Sequence, residues 1–340
     1  MSKLLNVAVV GATGAVGEMI ISVLEERNFP VNNLYPLASE RSINKTVTFK
    51  KKVFDVLNLA TFNFSQVDIA LFSAGASVSK TYAPIAVNAG CIVIDNTSCF
   101  RYDDEIPLVV PEVNAHRIGD YHKRGIIANP NCSTIQMVVA LKPIHDAVGI
   151  SRINVATYQS VSGTGKKAIS ELISQVGELL NGRPAAASVY PQQIAFNALP
   201  HIDEFLENGY SKEEMKMVWE TKKIMEDDTI RVNPTTVRVP VLYGHSEAVH
   251  LELKMPLSAG DARNILRSAP GIKVVDDLAK LEYPTVITHA IGHDDVFVGR
   301  IREDISHPCG LNMWIVADNI RKGAATNAIQ IAEILQLEHL

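Results

Sequence analysis

The stretch LNVAVVGATGAVG, residues 5 to 17, decides the fold of this chain. Residues 5 to 10 are a short, valine-rich run that stops at a glycine, the pattern of a buried strand. Val16, Met19, Ile20, Val23 and Leu24 then recur at helical spacing, which predicts a helix over 15 to 27. Between the two lie Gly11, Gly14 and Gly17, spaced GxxGxxG. Gly11 permits a tight turn, and Gly14 has no side chain to keep the backbone from a pyrophosphate. Gly17 lets helix and strand pack closely, and the helix N-terminus meets the negative charge. The loop departs from GxGxxG, with Thr13 in the neighbouring slot and Gly14 in the next. Gly11, Thr13, Gly14, Ala15, Val16 and Gly17 are therefore candidate cofactor contacts, in a strand-loop-helix that predicts dinucleotide binding.

Outward from this unit, strands are predicted at 34–39, 68–75, 91–98 and 125–130, with a helix at about 77–89. Strands that alternate with helices imply a doubly wound parallel sheet of Rossmann type. The second strand runs into ASERS. An NAD site usually ends that strand with an acid for the ribose 2′-hydroxyl. Here Ser39, Arg41 and Ser42 offer donors to a 2′-phosphate, so NADP is the expected cofactor, with Glu40 the discordant residue.

After about residue 150 the rhythm changes. A long strand (152–163), a helix (165–180), an irregular Pro- and Ala-rich stretch (183–200) and a second helix (211–226) are followed by one or two strands over 236–256. Residues 296–304 and 311–318 read as sheet neighbours. This is an α+β domain with a mixed sheet. The segment from 318 onward is expected to be one amphipathic helix, with Ile320, Ala324, Ala328, Ile331 and Leu335 on one face.

Bulk properties narrow the function. At 340 residues two domains are expected. A net charge of −5 without a Lys/Arg block argues against a nucleic-acid partner. No apolar run reaches the roughly 20 residues that span a bilayer. Lys3 and the apolar run after it mimic a signal peptide, but the glycine spacing explains that run better. Four cysteines, none in a CxxC pair, suit a reducing cytoplasm. No metal is expected: the histidines of HAIGH (289–293) sit beside Gly292 and Asp294-Asp295, which read as a hairpin loop rather than as part of a ligand set.

Cys132, in ANPNCSTIQ, follows a turn and opens a predicted helix. A thiol there meets the positive end of the macrodipole, which favours the nucleophilic thiolate. Position alone leaves a packed cysteine equally open. Cys91, at the start of an apolar strand, reads as core. In RVPVLYGHSEAVH, Arg238 suits planar carboxylate recognition and His245 suits proton transfer near neutrality, with His250 a competing base. An unbroken strand would put Arg238 and His245 on opposite faces, and Gly244 suggests a bend that re-aims the histidine.

GATGAVG, LASERS, NPNCST, YQSVSGTG, EEMK and RVPVLYGHSE occur in that order, and together they resemble the aspartate-semialdehyde dehydrogenases over nearly the whole chain. Acetylglutamyl-phosphate reductases share the architecture but typically carry a glycine before the cysteine, where this chain has Asn131. The resemblance implies NADPH-dependent reduction of L-aspartyl 4-phosphate to the semialdehyde through a cysteine thioester, in lysine/diaminopimelate, methionine, threonine and isoleucine biosynthesis. It implies that Cys132 is the nucleophile, His245 the acid/base and Gln159 the residue that orients substrate. Arg238 would hold the α-carboxylate and Glu213 the amine. Lys216, Arg101 and Asn131 would hold phosphate, with Lys223 a second candidate. Ser162, Gly163 and Asn319 would lie by the nicotinamide. It also implies a homodimer or tetramer, and an N-terminal domain of residues 1–130 completed by the C-terminal helix 319–337, around a catalytic and dimerisation domain of 131–318. The alternatives are reduction of another acyl phosphate and a catalytically silent dinucleotide-binding homologue.

Overall fold

The computed structural model describes residues 3–340, which divide into two compact units. The first contains the chain up to Asn131 together with Ala324–Leu340, and the second is Cys132–Gly323.

In the first unit, β1 (Leu5–Val10) leads into α1 (Ala15–Glu26) and β2 (Val31–Ala38). A small antiparallel hairpin of β3 (Thr46–Phe49) and β4 (Lys52–Asp55), which the sequence pattern did not announce, precedes β5 (Leu57–Asn58). Then come β6 (Ile69–Phe72), α2 (Ala76–Asn88), β7 (Ile92–Asp95), the single turn α3 (Pro111–Asn114) and β8 (Ile126–Ala128). Six strands form one parallel sheet in the order β5-β2-β1-β6-β7-β8. The order reverses beside β1, so a crevice opens at the carboxyl ends of β1 and β6. β1 is almost wholly buried, as a central parallel strand covered on both faces must be.

The second unit opens with α4 (Cys132–Val148) and β9 (Ile150–Gln159), then α5 (Lys166–Leu180) and α6 (Lys212–Met225). Residues 183–200 have no helix or strand. Strands β10 (Arg231–Arg238) and β11 (His245–Leu253), helix α7 (Ala259–Ser268), strand β12 (Ile272–Val274) and the hairpin β13 (Val296–Glu303) and β14 (Gly310–Ala317) complete it. The sheet is mixed, ordered β10-β9-β11-β14-β13-β12, with parallel pairs only at β10/β9 and β12/β13. α4 packs against β9, β11, β13 and β14.

Of the one or two strands expected over 236–256, the chain forms two, β10 and β11, on opposite sides of β9. Two expectations fail. Gly292 (φ 81°) and Asp294-Asp295 are no hairpin loop; they link a π-helical turn, Val286–Ala290, to β13. The C-terminal segment begins with a π-helical turn (Arg321–Ala325), and only Thr326–Glu338 is the regular helix α8. α8 is not amphipathic either. Thr326, Asn327, Ala328, Ile329, Ile331, Ala332 and Leu335 are all buried, because the helix sits in the core of the first unit with Val7, Ile20, Leu24 and Ile69. Ala324 falls outside that buried set. Among the described residues no helix is long and apolar enough to cross a membrane.

Candidate active site

The glycine loop closes as its spacing requires. Gly11 adopts φ 91°, which a side chain resists, and a Cβ there would press on Ser73 and Ala74 after β6. A Cβ on Gly17 would fall 2.1 Å from the Gly11 carbonyl oxygen, so helix and loop touch only because position 17 has no side chain. Gly14 is the N-cap of α1. Beside this loop is a cavity of about 690 Å³ lined by Gly11, Thr13, Gly14, Ser39, Glu40, Arg41 and Ser42. Ala15, Val16 and Gly17 form the first turn of α1 behind it. A helix N-terminus, a side-chain-free loop and one cation together fit a dinucleotide phosphate. Asn58 and Tyr82 also line this cavity, and no motif marked them.

The turn that ends at Asn131 is fixed within the first unit. Arg101, only 5% exposed, donates from Nε to the Asn129 carbonyl (2.9 Å) and from Nη2 to that of Asn96 (2.8 Å). Asn327 of α8 donates to the Asn129 side chain (2.7 Å) and the Val109 carbonyl (3.0 Å). Asn131 is buried at its end.

In the second unit Cys132 is the first residue of α4, where the macrodipole favours an anion. Its Sγ stands 3.2 Å from Nε2 of His245. The position of the histidine comes from strand pairing. Gln159, at the end of β9, pairs with Arg238 of β10 on one side and His245 of β11 on the other. The two residues that one strand would have put on opposite faces thus stand in one row. A Cβ on Gly163 would lie 3.1 Å from Arg238 Nη1 and 3.6 Å from His245 Nε2, so Gly163 sits directly over them. Gly323 presses on the cysteine in the same way, with its absent Cβ 2.8 Å from that of Cys132.

His245 is fully buried, and its chemistry differs from the expectation. Burial, and then the Arg238 charge, push its imidazole down to about 3, against the opposing pull of Glu213 and the Gly244 carbonyl. It is therefore neutral at physiological pH rather than poised near neutrality. The Ser160 N–H donates to Nδ1 (3.1 Å), so the ring proton of the neutral form belongs on Nε2, facing the sulfur. Ser160 Oγ lies 3.2 Å from Nδ1 as well. Asn319 Oδ1 accepts from Gly244 N (2.8 Å) and from the hydroxyls of Ser160 and Ser162, which ties both strand ends together. His250 is excluded as the partner of the thiol. It lies on the other face of β11, between Asp304 (2.7 Å) and Asn154 (3.3 Å).

Glu213, at the start of α6, is buried, and its Oε1 accepts from Gln159 Nε2 (3.1 Å) and Ser133 Oγ (3.3 Å). Its Oε2 accepts from Lys216 Nζ (3.1 Å), which also reaches Asp203 Oδ2 at 2.7 Å. Burial disfavours the lysine charge, but Glu213 and Asp203 outweigh it and hold Lys216 above its ordinary value. Ser160 and Ser133 lie within YQSVSGTG and NPNCST without an assigned part in the site, and Asp203 lies in no motif, since each matters only through a residue distant in the chain. Lys223 lies two turns further along α6. Arg238 donates from Nη1 to the Ser160 carbonyl (2.7 Å), while its Nε is buried without a partner. Cys91 is buried core, and burial pushes its thiol far up, as expected for an inert residue.

Residues 6–121 match the semialdehyde dehydrogenase NAD-binding domain, and residues 141–322 match the semialdehyde dehydrogenase dimerisation domain. The chain is 76% identical over 340 residues to an aspartate-semialdehyde dehydrogenase of Legionella pneumophila, covering 100% of this chain and 98% of that protein. It superposes with a TM-score of 0.98 on aspartate semialdehyde dehydrogenase II of Vibrio cholerae complexed with ASA, at 59% identity over the full length of both chains. The enzyme of Candida albicans with NADP matches at TM-score 0.76 and 27% identity, over 98% of this chain and 99% of that one. With a thiol, an imidazole and a guanidinium converging at one end of its mixed sheet, and with both domain models matched in order, the chain belongs to the aspartate-semialdehyde dehydrogenases.

Proposed function

We propose that Cys132 is the nucleophile of an NADP-dependent aspartate-semialdehyde dehydrogenase reaction, and that the row Arg238–Gln159–His245 binds and orients the acyl group. The observation that carries this assignment is the 3.2 Å approach of His245 Nε2 to Cys132 Sγ at a helix N-terminus. In the reductive direction the thiolate attacks the carbonyl of L-aspartyl 4-phosphate. The carbon–oxygen bond to phosphate breaks, and a thioester to Cys132 remains. A carboxylate is a poor hydride acceptor, whereas a thioester carbonyl is a good one. When bound, the dinucleotide supplies that hydride. The resulting oxyanion is next to the sulfur, where the Nε2–H of His245 is aimed, and its collapse returns the thiolate and frees the aldehyde. His245 thus acts first as a neutral donor rather than as a base that titrates near neutrality.

Arg238 holds the substrate α-carboxylate through its unpartnered Nε edge. Glu213 takes the amine. Lys216 and Arg101, with Asn131, take the phosphate, and Lys216 exchanges its Asp203 contact for that anion. The dinucleotide belongs in the cavity beside Gly11, with Ser39, Arg41 and Ser42 on the 2′-phosphate of NADP. Ser162, Gly163 and Asn319 contribute to the nicotinamide end.

The chain is proposed to work as a homodimer. The face of the mixed sheet away from α4 carries Tyr158 and Trp314, whose rings meet at 5.5 Å, and Ala156 and Ala248 beside them are only partly buried. Such a face suits a second copy. Free thiols, one of them the nucleophile, fit the reducing cytoplasm.

The test is phosphate-dependent oxidation of aspartate semialdehyde followed by NADPH formation, with NAD as control cofactor and N-acetylglutamate semialdehyde as control substrate. Turnover that needs no phosphate, or that favours the acetylated substrate, would exclude this assignment.

A further inference from the structure

Residues 184–199 form no helix or strand, yet they are clamped at three places. The Glu171 carboxylate on α5 accepts from the backbone N–H of Ser188 (2.8 Å), Val189 (2.6 Å) and Tyr190 (3.3 Å), and from the Ser188 hydroxyl (2.6 Å). One turn along the same helix, Gln175 Oε1 accepts from Ile194 N and Ala195 N, and its Nε2 donates to the Ala186 carbonyl. At the end of the arm, Leu199 and Arg238 exchange backbone hydrogen bonds of 2.8 and 2.9 Å. Tyr190, Ile194, Ala195 and Leu199 pack with Val161, Ala168 and Leu172 in a small core of their own. So much fixation of an irregular segment requires a purpose for the residue it carries. That residue is Tyr190, 9% exposed, whose hydroxyl lies 3.0 Å from Thr164 Oγ1 and whose ring centroid lies 6.0 Å from the guanidinium carbon of Arg238.

We propose that Tyr190 is a positioning residue for Arg238: its ring covers one face of the guanidinium and excludes water there, leaving the in-plane N–H edge as the route by which a carboxylate can bind. The proposal rests on Arg238 being the carboxylate site. Nη1 is already committed to the Ser160 carbonyl and Gly163 crowds the same nitrogen, so covering the ring face restricts the approach further. A guanidinium held against a ring, with Nη1 already bonded, can meet an anion only through its remaining in-plane N–H groups, the geometry of a bidentate carboxylate pair. Tyr190 thus holds Arg238 in the orientation that receives the carboxylate.

The experiment is steady-state kinetics in the oxidative direction on four variants, with the semialdehyde and phosphate varied separately. Tyr190→Leu should raise KM for the semialdehyde about three- to thirtyfold, the range of a desolvated cation–π contact, with kcat and the KM for phosphate within about twofold. Tyr190→Phe keeps the ring and should stay near wild type. Glu171→Gln loosens the arm without touching the ring and should shift the same KM in the same direction by a smaller factor. It also keeps the test alive should the leucine variant not fold. Arg238→Lys serves as the reference. A raised KM in Arg238→Lys with an unchanged KM in Tyr190→Leu overturns the proposal alone. An unchanged KM in Arg238→Lys removes the carboxylate assignment and the proposal with it. A phenylalanine variant as impaired as the leucine one, or a loss confined to kcat, also overturns it.

Discussion

The imidazole of His245 meets Cys132 through Nε2 at 3.2 Å and takes the Ser160 N–H on Nδ1 at 3.1 Å. The backbone therefore fixes which nitrogen faces the sulfur as a donor. His245→Gln should lower kcat about a hundredfold or more, and it should also slow alkylation of Cys132, because an amide donor would not occupy the same place. Iodoacetamide labelling measured beside turnover checks both. Equal labelling rates would show that the imidazole does not act on the sulfur.

The same burial predicts a pH effect on stability. His245 stays neutral in the folded chain down to about pH 3, whereas in the unfolded chain it protonates near 6.5. The unfolded state thus binds the extra proton first, and stability falls as the pH drops from about 6.5 towards 3. Above 6.5 this group contributes no pH dependence. His245→Gln should show a shallower loss of denaturation midpoint between pH 7 and pH 5 than the unsubstituted protein.

Cys132→Ser should lose turnover by at least about three orders of magnitude, because the less acidic hydroxyl forms no comparable acyl intermediate. Dinucleotide affinity should be unchanged, since the cavity beside Gly11 lies in the other unit. Fluorescence titration with NADPH separates the two effects.

Arg238→Lys keeps the charge but gives up the planar fork and the Nη1 bond to the Ser160 carbonyl. KM for the semialdehyde should rise about ten- to hundredfold, the strength of one or two charge-assisted bonds. The change should fall mainly on KM rather than kcat.

In the cofactor cavity, Arg41→Ala should reduce the preference for NADP over NAD by about tenfold, read as the ratio of kcat/KM values. Gly17→Ala is a packing test. With its Cβ 2.1 Å from the Gly11 carbonyl oxygen, it should destabilise the fold by about 1–3 kcal/mol and weaken binding of both dinucleotides. Thermal melts with and without NADPH measure both.

The glycine loop, the alternating strands and the cysteine at a helix start were legible because each depends on residues within one or two turns of one another. Gly244 does turn the chain, at φ 81°, but His245 comes beside Arg238 because the chain leaves β10 and re-enters on the far side of β9. The expected amphipathic C-terminal helix failed because the first full turn of α8, residues 326–329, is buried all round, which erases the polar face that a surface helix shows. Asp203 on Lys216 and Tyr190 on Arg238 left no trace, since single residues in irregular segments have no periodicity to reveal them.

Sequence by itself determined the parallel fold of the first unit, its phosphate-facing loop and the placing of Cys132 at a helix start, because local spacing and helix geometry are properties of short segments. Only the tertiary structure decided that Arg238, Gln159 and His245 form one row, that His250 is turned away, and that the imidazole facing Cys132 is neutral. Those outcomes depend on strand pairing across some 80 residues and on exclusion of water, neither of which a stretch of chain has until it is packed against the rest.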